Sequence, residues 1–392
     1  MVKSVPERPA FDTIASAFFS KAWQSIWFGG ASVATKKKRR TRIELLDVAK
    51  AITIFLVILG HTTSNTDIIM YRRVLYAFHM PLFFFLAGMS TKPRPLYGLE
   101  GWTTFLRKNV LALVVPLVIW GLVYGPFSFA NFPKLFYASW ETLGEMGTLT
   151  SLWYLSGFFV ARIVVQVIIT LLDKFGQGGN NIVYALCSLP LFAIGLLLPR
   201  LEHGYPWCFN VALVAAGIIL LGIAARRRIL IFAVQRGVVL FASLVASIAI
   251  LFIGTVARGD ACELVLMCGS QYGNLFWFFV NSAAGTLAVL TGSMLLIRIA
   301  REGSRPFSLG IVSFIGMNTM GIFLLHKPML QELLMPFFTN LIPAPQLVVA
   351  IVSSLVALVL SMVLCVAIDR FIPELLGKFP AYPTNIVARK KG

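Results

Sequence analysis

About ten stretches of some twenty apolar residues recur along this chain, and no other feature restricts its fold so strongly. They lie near 48–65, 74–91, 109–128, 151–172, 182–199, 208–225, 237–257, 274–297, 308–327 and 346–368. In hydrocarbon every backbone N–H and C=O must find an internal partner, and segments of this length do so as helices. The expected fold is therefore all-α, a polytopic membrane protein with about ten transmembrane helices. Composition agrees, with 58% hydrophobic and 13% charged residues, where a soluble globule carries about a quarter charge. Mean hydropathy is +0.83. Collagen, disulfide-scaffold and disordered classes are excluded by 31 Gly, 19 Pro and 5 Cys in 392 residues.

Thirty-four Lys and Arg against 16 Asp and Glu give a net charge of +18. Their placement alternates from loop to loop. One side takes Lys36 to Arg40, then Lys92, Arg94, Arg107 and Lys108, Arg226 to Arg228 with Arg236, Arg298, Arg301 and Arg305, and the tail with Lys378, Arg389, Lys390 and Lys391. The other side is poor in basic residues, with Arg72, Arg73, Lys134, Arg200 and Arg258. By the positive-inside rule both termini are cytoplasmic, which requires an even number of spans. The charge is thus a topology signal, and no nucleic-acid partner is expected. The expected layout is a cytoplasmic segment 1–41, a membrane domain 42–372 and a cytoplasmic tail 373–392.

In the first segment Phe11, Ile14, Phe18, Phe19, Trp23, Ile26 and Trp27 recur at three and four. That pattern fits an amphipathic helix on the membrane face as well as it fits a tail. The basic cluster follows the apolar stretch, so a signal peptide is not expected. Cys262 and Cys268 fall in one outer loop, a spacing that permits but does not require a disulfide. The chain has no CxxC, HExxH or Gly-rich phosphate loop, so neither a metal site nor nucleotide-driven transport is expected.

Ionisable residues inside spans are the informative ones, because each is costly there unless paired or solvated. The carboxylates all map to loops, tails or span ends, which leaves a proton-coupled transporter without a mid-membrane acid. Histidine behaves differently. His61, His79 and His326 fall within or at the edge of spans, all in the outer half by the expected topology. One such histidine commonly just bonds a neighbouring helix; three at one depth point to acid/base work near neutral pH. Lys50 and His61 are eleven residues apart, within about 20° of one helix face and roughly 16 Å along the axis. Asp47 can pair with Lys50 at i, i+3, either as part of the site or as an ordinary interfacial pair.

The run Arg42-Ile43-Glu44-Leu45-Leu46-Asp47-Val48-Ala49-Lys50, continued by Gly60-His61, then Phe78-His79-Met80-Pro81-Leu82-Phe83-Phe84-Phe85-Leu86-Ala87-Gly88, resembles the integral-membrane acyltransferase family 3. Leu152-Trp153-Tyr154-Leu155 and Gly316-Met317-Asn318-Thr319, continued to His326-Lys327-Pro328, extend the likeness over about 42–370. It is closest to the fucose 4-O-acetylase-like branch. The chain departs from much of the family at Lys50, where an Arg is usual; Lys keeps the charge and loses the bidentate fork.

The resemblance implies transfer of an acetyl group from cytoplasmic acetyl-CoA, a donor substrate and not a resident cofactor, to a sugar hydroxyl of an extracytoplasmic or lipid-linked glycan. It implies a bacterial inner membrane protein that meets acyl-CoA, the sugar acceptor, the lipid bilayer and polysaccharide-assembly machinery. His61, His79 and Asp47 are then the catalytic candidates. Lys50 and Arg42 would hold the donor, and His326, Asn318, Thr319 and Trp153 the acceptor. Direct attack of the hydroxyl and a covalent acyl-His intermediate both fit. A succinyl donor, or a transporter whose histidines line a permeation path, are the alternatives.

Overall fold

The computed structural model describes residues 44–62, 69–125, 128–302, 309–341 and 344–379. Arg42, the aromatic repeat of the first 27 residues, the Lys36–Arg40 cluster and the last basic residues lie outside them. The described residues are helical, without a strand among them. The helices are α1 (Glu44–Gly60), α2 (Ile69–Tyr76), α3 (His79–Ser90), α4 (Gly98–Asn109), α5 (Val115–Tyr124), α6 (Phe132–Tyr137), α7 (Trp140–Gly144) and α8 (Trp153–Lys174). There follow α9 (Asn181–Leu197), α10 (Phe209–Phe232), α11 (Gly237–Gly254), α12 (Leu275–Glu302), α13 (Gly310–Met317), α14 (Thr319–Pro328), α15 (Met335–Leu341) and α16 (Gln346–Phe371).

Among the described residues seven helical segments are long and apolar enough to cross a membrane: Met70–Ser90, Gly98–Tyr124, Leu149–Lys174, Pro206–Phe232, Gly237–Ala261, Leu275–Glu302 and Gln346–Phe371. The chain is an all-α polytopic membrane protein. The other three expected spans are also helical but short or broken. α1 and α9 have 17 residues each, about 26 Å of helix against a hydrocarbon core of about 30 Å. The segment expected at 308–327 is interrupted at Asn318 and runs on, through a π-turn at Met329–Leu334, to Leu341.

Burial sorts the helices. α10 is buried along most of its length, from Asn210 through Ile223, and packs against α3, α8 and α9. α1 buries eleven of its seventeen residues and touches α3, α12, α13, α14 and α16. α3 lies between these two central helices. The outer helices turn large apolar side chains outward, such as Phe241, Ile248 and Phe252 of α11 and Leu355, Val359 and Val363 of α16, as a lipid-facing surface requires. The inner face of α16 is small, with Ser353, Ala357, Ser361 and Cys365 all at most 1% exposed. This four-residue spacing lets helices approach where lipid removes the hydrophobic drive.

Interruptions inside the bundle have their freed carbonyls capped. Pro328 has no N–H for Leu324, and the Tyr124 hydroxyl donates to that carbonyl at 3.1 Å. The break between α2 and α3 leaves the Ala77 carbonyl, which accepts from Ser282 Oγ at 3.0 Å. Asn281 Nδ2 donates to Gly254 at the end of α11 at 3.2 Å. A second π-turn, Val110–Val114, precedes Pro116 and joins α4 to α5, widening the ladder where proline cannot donate. Beyond α16 the turn Pro373–Leu376 folds back, with Leu376 buried and the Trp120 indole donating to Leu375 O at 2.8 Å.

Charged side chains pair at both ends of the bundle. Glu44 pairs with Arg301, and the Arg226 guanidinium donates to Thr91 O at 3.3 Å, at the end where α1 begins and α3 stops. At the other end Arg73 meets Asp260 at 3.5 Å and Lys134 meets Glu145 at 2.6 Å. Lys134 holds the exposed Glu145 carboxyl below its usual range, first by its hydrogen bond and then by its charge.

Candidate functional site

Where α1 ends, α3 and α8 begin and α14 nears its end, the helices leave a cavity of about 400 Å³. His61, His79 and Trp153 line it, together with Thr62, Arg72, Tyr76, Trp140, Thr150, Phe323 and Lys327. Its cover is the loop 264–268, held by paired backbone hydrogen bonds between Leu266 and Gln271 at 2.8 and 3.0 Å. Asn210 Nδ2 fixes the same loop by donating to Ser270 Oγ at 2.6 Å. Cys268 lines the cavity, and both Cys262 and Cys268 are free thiols.

The three histidines share one local device. Nδ1 of His61 lies 2.7 Å from Val57 O, that of His79 2.7 Å from Leu75 O, and that of His326 2.7 Å from Phe323 O. A carbonyl can only accept, so each Nδ1 carries the hydrogen, and in the neutral ring Nε2 keeps the lone pair. Each ring is thereby oriented by its own helix. His61 and His326 meet edge to face with centroids 5.1 Å apart, although they belong to α14 and to the end of α1. His326 is fully buried, and its Nε2 has no hydrogen-bond partner among the described residues. His79 stacks on Tyr76 at 4.8 Å. Tyr154, next to Trp153, packs on Phe84, Phe158 and Phe323 at 5.3–5.4 Å.

The sequence-derived candidates divide between two ends of the bundle. His61, His79 and Trp153 line the cavity, and His326, fully buried, meets it through the His61 ring. Asp47 and Lys50 lie at the start of α1, fourteen and eleven residues before His61, so Asp47 stands about 21 Å from it along the axis. Asn318 and Thr319 lie at that same far end. The backbone of Gly316 sits so close to Asp47 that an added Cβ would be 1.9 Å from the Asp47 carbonyl oxygen. Asn318 Oδ1 accepts from Lys378 at 3.1 Å, and Lys378 also pairs with Asp369 at 2.8 Å. Asp47 is 8% exposed, with Lys50 half-buried beside it. Among the described residues no group of His, Cys, Asp and Glu is arranged to hold a metal ion.

Sequence reasoning passed over three cations. Lys327 is buried and donates to Thr150 Oγ1 across the cavity wall. Arg72 lies over the Tyr76 ring, its Cζ 5.2 Å from the centroid. Arg162 sits in mid-α8, 5.6 Å from the Phe158 ring. Lys327 and Arg162 are legible in the sequence as cations within apolar spans. The loop 264–268 has no sequence signal, because only the folded chain brings it over α1 and α14.

A stretch of 180 residues is 28% identical to Nodulation protein NolL of Sinorhizobium fredii, covering 41% of this chain and 45% of that protein. Nodulation protein NolL of Mesorhizobium japonicum is 26% identical over 174 residues, 41% of this chain and 44% of its own length. The aligned stretch thus spans less than half of either relative. The family described as "Acyltransferase domain" matches residues 43–370, a range that takes in α1, the cavity and both histidine-bearing helices opposite it, and the chain accordingly belongs to acyltransferase family 3.

Proposed function

We propose that this protein is a membrane-embedded O-acyltransferase of the fucose 4-O-acetylase-like kind. It moves an acetyl group from cytoplasmic acetyl-CoA to a sugar hydroxyl of an extracytoplasmic or lipid-linked glycan in the inner membrane. The observation that carries this reading is the pair His61 and His326, 5.1 Å apart at a cavity of about 400 Å³ within the family-matched region. The cavity has room for one sugar ring and a thioester carbonyl, and Trp140 and Trp153 offer faces on which a sugar can stack.

The division of candidates between two ends supports a donor reaching in from one end and an acceptor from the other. At the end rich in Lys and Arg, Lys50, Arg42 and Lys378 would hold the anionic nucleotide of acyl-CoA. Asn318, Thr319 and Asp47 would shape that mouth. The narrow pantetheine arm would then follow the α1 face toward His61, roughly 16 Å away. In the reaction His61 Nε2 takes the proton of the sugar hydroxyl and the oxygen attacks the thioester carbonyl. The tetrahedral intermediate collapses with cleavage of the C–S bond, and the CoA thiolate leaves with the proton held by His61. Fixing the Nδ1 hydrogen on Val57 O keeps the ring in the tautomer this requires. His326 and His79 orient the base and the acceptor.

The test is transfer of radiolabelled acetyl from acetyl-CoA into the glycan and lipid-linked sugar fractions of membranes containing the protein, with His61→Ala beside it. Label that disappears in the variant is expected. If succinyl-CoA alone restores label, the donor is wrong and the chemistry stands. If neither donor labels any fraction while solute flux depends on His61, the protein is a transporter.

A further inference from the structure

Seventeen residues line the cavity, and their charges are one-sided. Arg72 and Lys327 both face it, and none of the seventeen is Asp or Glu. The neighbouring Arg73 makes the contrast plain: it has Asp260 at 3.5 Å and the Gly259 carbonyl at 3.0 Å. Arg72 has the Tyr76 ring, and its Nε is buried with no hydrogen-bond partner among the described residues. Lys327 is 7% exposed and has the neutral Thr150 hydroxyl. Neutral partners offset little of the cost of withdrawing a cation from water. A cavity lined by one sign of charge, with aromatic and aliphatic walls, concentrates a ligand of the opposite sign.

From this we infer that the acceptor bound in the cavity is anionic, a sugar with a phosphate or carboxylate close to the hydroxyl that is acylated, and that Arg72 and Lys327 select it. Arg72 supplies the planar donors suited to such a group, and its Nε is the donor left open. Lys327 follows His326 in sequence, and His326 meets His61 edge to face. An anion held by both cations therefore keeps the sugar beside the base. The inference rests on the acceptor role given to this cavity above.

The test is equilibrium binding to the purified full chain in lipid nanodiscs by isothermal titration, with no acyl donor present. Glucuronic acid and glucose 1-phosphate carry the charge on the sugar, farnesyl diphosphate carries it on a lipid linker, and methyl glucoside is neutral. At least one anionic probe is expected to bind about tenfold or more tightly than methyl glucoside, the yield of one charge-assisted hydrogen bond. The margin should shrink as salt is raised, vanish in Arg72→Gln and return only in part in Arg72→Lys, which restores the charge without the planar donors. Tight binding of farnesyl diphosphate alone would place the anion on the lipid linker, and binding of the sugar anions alone on the glycan. Equal binding of methyl glucoside, a margin that survives Arg72→Gln, or an Arg72→Gln enzyme whose sole defect is a raised KM for acetyl-CoA would overturn the inference. Should Arg72→Gln fail to fold, the charge margin and salt response of the unaltered protein decide. Because the readout needs no acyl transfer, loss of the acyltransferase reading leaves the binding result standing, and intact transfer with neutral preference sinks this inference alone.

Discussion

The crossing of α3 with α10 sets the position of His79, and it depends on two glycines. A Cβ added at Gly88 would lie 2.1 Å from the Ile219 carbonyl oxygen and 3.0 Å from the Gly222 Cα. One added at Gly222 would lie 2.2 Å from the Phe85 oxygen and 3.1 Å from the Gly88 Cα. All four neighbours are backbone, so no side chain can swing aside. An ordinary contact begins at 3.4 Å, and either alanine must therefore part the helices by about 1.2 Å, more than the gap of about 0.5–1 Å that already forfeits a quarter to a half of the facing dispersion contacts. Gly88→Ala or Gly222→Ala should each cost about 3 kcal/mol, the upper part of the range for overpacking. The second methyl enters a crossing already parted, so the double variant should cost little more than either single one, with a coupling of about 2 kcal/mol. Unfolding of purified protein in mixed micelles on titration with sodium dodecyl sulfate measures all three variants. A single-variant loss below about 0.5 kcal/mol, or an additive double variant, would refute the argument that backbone contact at this crossing sets the packing.

Four further outcomes are expected. Thr150→Val leaves the buried Lys327 ammonium without its hydroxyl partner and should destabilise by about 2 kcal/mol, while Thr150→Ser keeps the wild-type unfolding midpoint in the same titration. Trp120→Phe removes the indole donor to Leu375 O and should cost about 1 kcal/mol; faster amide exchange at residues 375–378 is the local readout. His326→Ala should lower kcat of acyl transfer by at least about tenfold with a smaller change in KM, because its ring meets His61 edge to face with centroids 5.1 Å apart; an unchanged kcat would remove His326 from the mechanism. Non-reducing mass spectrometry of the denatured, alkylated chain should find all five cysteines modified, and a Cys262–Cys268 bridge would contradict the free thiols of this structure.

The apolar runs made the helices legible because lipid leaves the backbone no other way to bond itself. Their ends were harder to place. Gly98–Asn109 carries Glu100, Arg107 and Lys108 and has a single buried residue, Asn109, so hydropathy starts the third span at 109 although the helix starts at Gly98. The reverse holds at α2 and α3, where an uninterrupted apolar run hides a break at Ala77 and Phe78. The break is set by tertiary contacts, the Phe78 ring against Gly285 and Ser282 on the Ala77 carbonyl. The histidines were legible as residues that do not belong in lipid. That Asn318 sits at the opposite end from His326, in a motif only a few residues long, was not. Eight residues of helix carry the chain about 12 Å, and a motif read as one unit in sequence spans two regions in space.

The cavity residues occupy the interruptions of the bundle. His61 follows the last residue of α1, His79 opens α3 after the break, Trp153 opens α8 after a 3-10 turn, and Lys327 precedes Pro328 and its π-turn. A regular helix in lipid has every backbone group satisfied internally and has nothing to give a substrate. An interruption frees carbonyls and brings in hydroxyl and amide side chains to cap them, and such backbone persists at membrane depth only where protein or a water-filled cavity surrounds it. The breaks thus bring polar side chains to one cavity in a chain that is 58% hydrophobic, with His61 and His79 in its lining. Closing one break should therefore do more damage than removing one cap. A Phe78→Ala variant, which withdraws the ring that packs on Gly285, is expected to shift the start of α3 and lower acyl transfer even though Phe78 does not line the cavity, whereas Ser282→Ala should cost only about 1 kcal/mol of stability. Equal activity in the two variants would show that the position of His79 does not depend on how the break is packed.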